Sequence, residues 1–204
     1  MIVIVDYGMG NLGSIANMLK KLGAEATITS DESVIAAADK IILPGVGAFD
    51  NGMKNLARLG LLPVLHRKAL EEKVPVLGIC LGMQLLTSGS EEGELPGLGW
   101  INAETLKFRF DKASSDLKVP HMGWNSVTVT GRNGLFKDID EEPRFYFVHS
   151  YYVKCNEQSD ILATTSYGQE FTSAVTRGNI MGTQFHPEKS HKFGMKVLKN
   201  FVDA

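Results

Sequence analysis

The sequence lacks the features that mark several classes of protein. Its 204 residues include only two cysteines, Cys80 and Cys155, which excludes a disulfide framework and a cysteine-rich zinc site. The apolar runs have the length of strands rather than membrane spans, and the N-terminus lacks the basic start and cleavage site of a signal peptide. The net charge of -2 offers no broad basic field to nucleic acid or an anionic membrane. These absences predict a cytoplasmic protein with no metal, nucleic-acid or membrane partner.

The composition that remains is that of an ordinary globular domain. Apolar residues make up 44% of the chain and charged residues 22%. A chain of this length buries roughly 70% of the surface that its unfolded form exposes, so it needs no crosslink. The sequence has no repeat, low-complexity tract or linker, and residues 1–204 are therefore predicted to form a single domain.

The first half of the chain alternates strand patterns with helix patterns. Buried strand patterns cover 1–6, 25–29, 40–43 and 74–79, and helical patterns cover 12–22, 31–37 and 50–72. The last of these is predicted to break near Gly60 and Pro63. This alternation predicts an α/β fold with an open, mostly parallel, twisted sheet and helices on both faces. In such sheets ligands bind beyond the carboxyl ends of the strands.

The second half changes to short β patterns separated by Gly, Asp, Asn and Pro. These patterns cover 101–108, 125–130, 144–148, 151–154, 161–166 and 172–176. They predict antiparallel strands and hairpins that extend or cover the sheet. A final amphipathic helix is predicted over 190–201.

Cys80 lies where the strand pattern 74–79 gives way to a helical pattern, between Gly78 and Gly82. A strand–turn–helix context of this kind is a nucleophile elbow, in which the flanking glycines prevent clashes at the sharp turn. The N-terminus of the helix stabilises a thiolate, and the backbone N–H of Leu81 is placed to bind an oxyanion. The alternative is an inert cysteine packed between glycines. The position at a strand end and both glycines favour the catalytic interpretation.

His186 is the favoured general base, because a thiol nucleophile needs a base and the base needs an orienting group. Pro187 favours an extended backbone at His186. Residues two apart in an extended chain point the same way, so Glu188 is predicted to accept a hydrogen bond from the His186 ring. A structural histidine beside a surface glutamate is the alternative that any such pair allows.

The other four histidines have less distinctive surroundings. His66 lies in a charged helical segment and His191 begins the last helix, so both are predicted to be exposed. His121 and His149 fall in the β-rich half, where they could be structural or could line a pocket.

Two glycine-rich segments follow strand patterns. The segment 44–49 (PGVGAF) can turn backbone N–H groups toward a developing oxyanion, and each such donor contributes about 3 kcal/mol in comparable sites. A ligand-free turn is equally compatible with it.

The segment Gly8–Gly13 matches G-x-G-x-x-G, with Asp31 at the spacing of a ribose-binding acid. A dinucleotide site there remains a minor alternative, because it would leave Cys80 and His186 unexplained.

Together these segments resemble the class I, triad-type glutamine amidotransferases. The matching segments are PGVG (44–47), GICLGMQ (78–84) and HPE (186–188), in the chain order of that family. Within the family the chain is similar to the glutaminase subunits of imidazole glycerol phosphate synthases. That narrower resemblance rests on DYGMGN (6–11), PGVGAF (44–49), GLGW (97–100), PHMGWN (120–125), FVHSYY (147–152) and HPEKS (186–190). It covers almost the whole chain and implies a flavodoxin-like fold with no cofactor.

The resemblance also implies roles for individual residues. Cys80 would attack the carboxamide of L-glutamine, and His186, held by Glu188, would transfer protons while ammonia leaves and water releases glutamate. The oxyanion loop would comprise Gly45, Val46 and Gly47 together with Leu81; the glutamine-binding residues would be Gln84, His149, Ser150 and Tyr151; and the partner interface would include Asn11, Trp124 and Lys189.

The same resemblance implies a (β/α)8-barrel cyclase as heterodimer partner. Ammonia would pass to it through an internal channel, yielding imidazole glycerol phosphate and aminoimidazole carboxamide ribonucleotide in histidine biosynthesis. The segment Gly8–Gly13 would then be a docking loop, and rearrangement of the loop 44–47 would gate the glutaminase. The alternatives are the same glutaminase feeding a sugar amidotransferase in surface polysaccharide synthesis, a stand-alone thiol hydrolase, and a catalytically silent binding subunit.

Overall fold

Helices and strands alternate in the first half of the chain, and strands dominate the second half. The computed structural model describes residues 1–110, 117–130, 134–139 and 141–204. The helices are Leu12–Lys21 (α1), Glu32–Ala36 (α2), Phe49–Arg58 (α3), Leu62–His66 (α4), Leu81–Leu85 (α5) and His191–Asp203 (α6). The strands are Ile2–Val5 (β1), Ala26–Thr29 (β2), Lys40–Leu43 (β3), Val76–Ile79 (β4), Ala103–Lys107 (β5), His121–Ser126 (β6), Thr128–Val129 (β7), Arg144–His149 (β8), Tyr151–Cys155 (β9), Ile161–Tyr167 (β10), Gln169–Arg177 (β11) and Ile180–Thr183 (β12). No helix among these residues is both long and apolar enough to cross a membrane.

One sheet runs through the molecule in the order β2-β1-β3-β4-β12-β11-β10-β7. From β2 to β12 the neighbours pair in parallel, and from β12 onward they pair antiparallel. Strand β9 pairs with β11 and carries β5 as a side branch, while β6 and β8 form a separate antiparallel pair. This topology confirms the predicted α/β class, with a parallel first part and antiparallel strands added by the second half.

The alternation of side chains along β1 builds one apolar core on each face of the sheet. Val3 and Val5 pack with α2, α3 and α4, whereas Ile2 and Ile4 pack with α1 and α6. Burial of each large aliphatic side chain stabilises the fold by about 1.5–3 kcal/mol. With both faces covered, the carboxyl ends of the parallel strands form the edge where the loops after β1, β3, β4 and β12 meet.

Strand β12 is the element for which the sequence gives no separate prediction. It lies parallel to β4 with Thr183 opposite Ile79, and the backbone N–H of Cys80 donates to the Thr183 carbonyl at 2.7 Å. The chain leaving β12 therefore runs beside the chain leaving β4, which brings His186 toward Cys80. Four buried residues without a distinctive period do not separate a strand from a loop in the sequence.

One boundary is confirmed and another differs from the prediction. The predicted break near Gly60 and Pro63 is present, because α3 ends at Arg58 and α4 begins at Leu62. Gly60 lies in the break with a φ of 69°, and Pro63 lies in the first turn of α4, where a missing N–H leaves no hydrogen bond unmade. The strand predicted over 125–130 begins earlier, at His121, since β6 continues through Gly123 by pairing with β8.

The turn between β4 and α5 leaves no room for side chains at its two glycines. A Cβ on Gly82 would lie 1.8 Å from the Leu43 carbonyl oxygen, and one on Gly78 would lie 2.7 Å from the Gly82 carbonyl oxygen. Between them Cys80 has φ 53° and ψ -108°. A non-glycine residue in such a region costs about 1–3 kcal/mol. The predicted sharp turn at Cys80 is therefore present and depends on both glycines.

We expect Gly82→Ala to lower the free energy of unfolding by about 3 kcal/mol, because the added methyl group overpacks against the backbone of β3. Gly89→Ala is the matched control. A Cβ at Gly89 meets nothing within 4 Å, so its effect should stay within about 0.5 kcal/mol. Urea unfolding of both variants measures the difference, and equal stabilities would contradict this account of the turn.

Candidate active site

Loops from the carboxyl edge of the parallel strands enclose a cavity beside Cys80. The cavity has a volume of about 470 Å³. Its walls contain the predicted nucleophile together with most of the predicted oxyanion and glutamine-binding residues: Val46, Gly47, Cys80, Leu81, Gln84, His149, Ser150 and Tyr151. The structure thus brings to one place residues that are separated by more than half of the chain.

Cys80 is buried at the start of α5, with its sulfur between two polar groups. The Val148 carbonyl oxygen lies 4.0 Å from Sγ, and the side-chain nitrogen of Gln184 lies 3.7 Å from it. Helix α5 extends only over Leu81–Leu85. The dipole effect that the sequence suggests is therefore limited to one short helix, and neighbouring side chains matter more for a thiolate here.

His186 and Glu188 make the predicted contact by a different backbone route. His186 Nδ1 lies 2.7 Å from Glu188 Oε1, and the two side chains are 2% and 3% exposed. His186 is extended as expected, with φ -97° and ψ 98°, but Glu188 lies in the 3-10 turn Pro187–Lys189. The extended-chain reasoning was therefore wrong for Glu188, although the two side chains do meet. Since Nδ1 donates to the carboxylate, the buried Nε2, which has no hydrogen-bond partner among the described residues, is free to take a proton.

The pKa values of the histidines around the cavity are shifted in opposite directions. Burial by itself lowers the pKa of His186, but the Cys80 sulfur and the Glu188 carboxylate raise that pKa to about 10. Burial lowers the pKa of His149 to about 3 and the pKa of His121 to about 4. The surroundings of His186 therefore favour its protonated form, whereas burial favours the neutral forms of His149 and His121.

One of the predicted oxyanion donors, the Leu81 N–H, is occupied in this conformation. The Leu81 N–H donates to the Gly45 carbonyl at 3.3 Å. The preceding carbonyl, that of Pro44, accepts a hydrogen bond from the buried Tyr7 hydroxyl. Val46 is 45% exposed at the mouth of the cavity. The Gly45 carbonyl must move before the Leu81 N–H can face an oxyanion.

The segment Gly8–Gly13 packs against the oxyanion loop. A Cβ on Gly10 would lie 3.3 Å from the Gly45 Cα, and one on Gly47 would lie 2.8 Å from the end of the Met9 side chain. This packing fills the side of the glycine segment on which a phosphate would need backbone access. The contact gives the segment a place in the scaffold of the site and offers no support for a dinucleotide.

The residues predicted to hold glutamine also bond to one another. Gln84 Nε2 donates to the Tyr151 carbonyl at 3.1 Å and to Gln184 Oε1 at 3.2 Å. His149 Nδ1 lies 2.7 Å from the same Tyr151 carbonyl. Since a carbonyl only accepts, His149 carries its proton on Nδ1, and its Nε2 accepts from His121 Nδ1 at 3.0 Å. This wall of the cavity is a preorganised network with defined tautomers.

Glu92 is a cavity residue that the sequence patterns do not indicate. Among the described residues that line the cavity, it supplies the single carboxylate. Its Oε2 accepts a hydrogen bond from the backbone N–H of Phe49 at 2.9 Å, which ties it to the start of α3. The sole sequence signal is the acidic run Glu91–Glu94, and such runs usually face solvent.

The predicted interface residues lie on a surface beside the base. The Trp124 ring stacks on the His191 ring at 5.2 Å, with planes 2° apart, and Lys189 Nζ lies 5.6 Å from the centre of the Tyr146 ring. Tyr146 also meets Trp124 edge to face, so these side chains form one cluster. Asn11 caps α1, a helix that packs against the turn holding Lys189.

Two predictions for the remaining histidines have different outcomes. His191 is exposed, as expected. The prediction of a solvated His66 is wrong, because this residue is half-buried and its Nδ1 accepts a hydrogen bond from Trp100 Nε1 at 2.9 Å. The charged sequence around His66 gave no sign of a distant tryptophan that needs an acceptor.

Comparison with known proteins connects this geometry to a family. The family model described as glutamine amidotransferase class-I matches residues 3–204. A Methanococcus maripaludis protein named imidazole glycerol phosphate synthase subunit HisH 2 is 59% identical over 202 residues, which cover 99% of this chain and 98% of the relative. A Pseudomonas aeruginosa protein of the same name is 51% identical over 203 residues, which cover 100% of this chain and 99% of the relative.

Solved structures show the same architecture. One described as a glutamine amidotransferase superposes with a TM-score of 0.76 at 20% identity, covering 100% of this chain and 98% of that one. PurLQS from Thermotoga maritima superposes with a TM-score of 0.74 at 20% identity, covering 99% of this chain and 97% of that one. At such identities the likeness concerns the fold alone.

We expect Glu188→Gln to lower the His186 pKa below its value of about 10, because the Cys80 sulfur and the Glu188 carboxylate both raise that pKa and the variant loses the carboxylate. The pKa of His186 is higher in the folded state than in the unfolded state. Protonation of His186 therefore contributes fully to the stability of the fold below about pH 6.5, and this contribution is lost as the pH rises through about 10. Titration of the histidine ring signals by NMR measures the shift. Glu157→Gln, at an exposed position, is the control, and an unchanged His186 titration in Glu188→Gln would contradict the pairing.

Proposed function

Because this chain belongs to the class-I glutamine amidotransferase family, we propose that it hydrolyses L-glutamine to glutamate and ammonia with Cys80 as nucleophile. The observation that carries the proposal is the buried pair His186–Glu188 beside Cys80, at the wall of a cavity of about 470 Å³. The full-length similarity to synthase subunits at 59% and 51% identity supports the same activity.

The reaction then follows from the protonation states. His186 holds the thiol proton, and the Cys80 sulfur attacks the carboxamide carbon of glutamine. His186 passes its proton to the leaving nitrogen, so ammonia departs and a glutamyl thioester remains. A water molecule gives a proton to His186 and attacks the thioester, which releases glutamate. Glu188 keeps the His186 ring in the tautomer that this sequence requires.

The oxyanion loop explains how the activity would be gated. While the Gly45 carbonyl accepts from the Leu81 N–H, the tetrahedral intermediate lacks its donors. Each preorganised donor contributes about 3 kcal/mol in comparable sites. Rearrangement of Gly45–Gly47 would free Leu81 and turn the Val46 N–H inward, so we expect slow hydrolysis until a partner drives that change.

The cavity offers complementary groups to both ends of a free amino acid. Glu92 provides a negative charge for the α-ammonium group, and its anchoring to Phe49 fixes its position. Gln84, His149, Ser150 and Tyr151 lie in the same wall and are assigned to the remaining polar atoms of glutamine. The backbone network beneath them holds these side chains before substrate arrives.

The receiving partner in this proposal is a (β/α)8-barrel cyclase, with which the chain forms a cytoplasmic heterodimer. Ammonia would reach it through a channel, and the products would be imidazole glycerol phosphate and aminoimidazole carboxamide ribonucleotide in histidine biosynthesis. The relatives' names as synthase subunits support a partner. So does β6, whose Met122 and Trp124 are 62% and 41% exposed beside Lys189, since exposed apolar clusters mark docking surfaces. The exposed Asn11, at the start of α1, extends the same proposed surface.

We expect glutamate release from glutamine to be slow with the purified chain and to rise at least about tenfold when the barrel cyclase and its ribonucleotide ligand are added. Cys80→Ser should abolish it in both conditions. Cys155→Ser is the control, because Cys155 lies away from this cavity, and should leave both rates unchanged. Enzymatic determination of glutamate provides the measurement.

The outcome of that assay also separates the alternatives. No rise with the cyclase, with Cys80 still open to alkylation, would favour a sugar amidotransferase as partner, for which the similar proteins reported above provide no support. Full activity without any partner would favour a stand-alone hydrolase. A Cys80 that reacts with no glutamine-mimicking electrophile, even in complex, would indicate a silent subunit.

We expect Glu92→Gln to raise the KM for glutamine at least about tenfold with little change in stability. The amide oxygen can still accept from Phe49, but the charge that faces the α-ammonium group is gone, and a charged hydrogen bond contributes about 1.5–3 kcal/mol. Glu94→Gln, at an exposed position nearby, is the control. Steady-state kinetics with the activating partner measure the effect, and an unchanged KM would remove Glu92 from the substrate site.

A further inference from the structure

We infer that Gln184 is a further catalytic residue, whose side-chain amide donates a hydrogen bond to the Cys80 sulfur and stabilises the thiolate. The inference rests on the proposed function, since it concerns the same nucleophile. Gln184 Nε2 lies 3.7 Å from Cys80 Sγ, and the side chain is fully buried. The pairing of Thr183 with Ile79 places Gln184 directly across from Cys80 at the ends of β12 and β4.

The orientation of the Gln184 amide is fixed by its neighbours. The Tyr151 carbonyl can only accept, so the group 3.1 Å from it must be the NH2 of Gln84. The same NH2 faces Gln184 at 3.2 Å, which requires the oxygen of Gln184 on that side. The Gln184 nitrogen is therefore turned toward Cys80. The opposite orientation would place two NH2 groups against each other and a carbonyl oxygen against the sulfur.

An ionised Cys80 needs such a donor. His186 faces the sulfur as a charged partner. The Val148 carbonyl, 4.0 Å from the sulfur, accepts from the thiol but offers nothing to a thiolate. Helix α5 is short, as described above. Hydrogen bonds to an ionised acceptor are roughly twice as strong as those between neutral groups. Gln184 therefore complements His186, which supplies the positive charge, by supplying a neutral donor to the same sulfur.

Other titratable groups surround the same sulfur. His186 and its partner Glu188 face Cys80 from the turn after β12, Tyr7 faces it from the loop after β1, and His149 lies on β8. Burial and the nearby Cys80 charge raise the pKa of Tyr7, so its phenol stays neutral. A substitution of Gln184 leaves all of these groups in place. A change in the reactivity of Cys80 with pH therefore reports the loss of the Gln184 donor.

The test is the rate of Cys80 alkylation by iodoacetamide as a function of pH, with the full chain in a Cys155→Ser background. Gln184→Met keeps the length of the side chain and removes the donor. We expect its alkylation midpoint to move upward by about one pH unit, which makes the rate below the midpoint about tenfold lower. Gln184→Leu is a second donor-free variant, in case the first does not fold.

Ser173→Ala is the matched control. Its backbone carbonyl accepts from the Gln184 N–H at 2.9 Å, and its own buried hydroxyl has no partner among the described residues. It should retain the parent's alkylation profile, while thermal unfolding shows that each variant is folded. An upward shift in the donor-free variants alone supports the inference. Profiles that superpose on the parent's for both donor-free variants would overturn it.

This experiment separates the inference from the proposed function, because alkylation needs neither glutamine nor a partner. If the donor-free variants shift the alkylation profile but the parent chain never releases glutamate, the proposed function is wrong and the role of Gln184 at Cys80 is retained. If the alkylation profiles superpose but the parent chain releases glutamate normally, the inference about Gln184 is wrong and the proposed function is retained.

Discussion

The parallel pairing of β4 with β12 is the constraint on which the site depends. Because Thr183 lies opposite Ile79, both chains leave the sheet at the same level, and the Cys80 N–H donates to the Thr183 carbonyl. The proposed nucleophile and the segment that carries the proposed base are thereby fixed by backbone hydrogen bonds rather than by loop conformation. Residues about 100 positions apart in the sequence can then meet without a long flexible connection.

Part of the site could be predicted from the sequence because it is formed by residues close together in the chain, and the rest could not because it depends on contacts between distant residues. The elbow around Cys80 is local, and its spacing predicts it. The contact of His186 with Glu188 is also local, so the pair could be found in the sequence, although the contact forms across a 3-10 turn and not along an extended chain. The role of Glu92 and the buried acceptor on His66 depend on contacts between residues 43 and 34 positions apart, respectively. Such contacts are set by packing of the whole fold, and no periodic pattern within a short window of sequence contains them.

The Tyr151 carbonyl determines which groups donate and which accept in the buried polar network. It accepts from Gln84 and from His149, and these two bonds determine where the protons lie in the groups behind each of them. On one branch the amide of Gln184 turns its nitrogen to Cys80. On the other branch the bonds fix the tautomers of His149 and His121, and burial lowers the pKa of both imidazoles, whereas the pKa of His186 is raised. Fully satisfied networks of this kind hold a site in one arrangement before any ligand binds.

Because this hydrogen-bond network is already formed, few groups in the site would need to move when a partner binds. His186, the proposed base, already meets the Glu188 carboxylate, and the cavity is already open beside Cys80. What departs from a competent arrangement is the Gly45 carbonyl, which occupies the Leu81 N–H. That carbonyl lies between the glycine loop after β1, which packs on Gly45, and α5. A partner that moves the loop after β1 would therefore act first on the Leu81 N–H, the proposed oxyanion donor, and the proposed triad would not need to move.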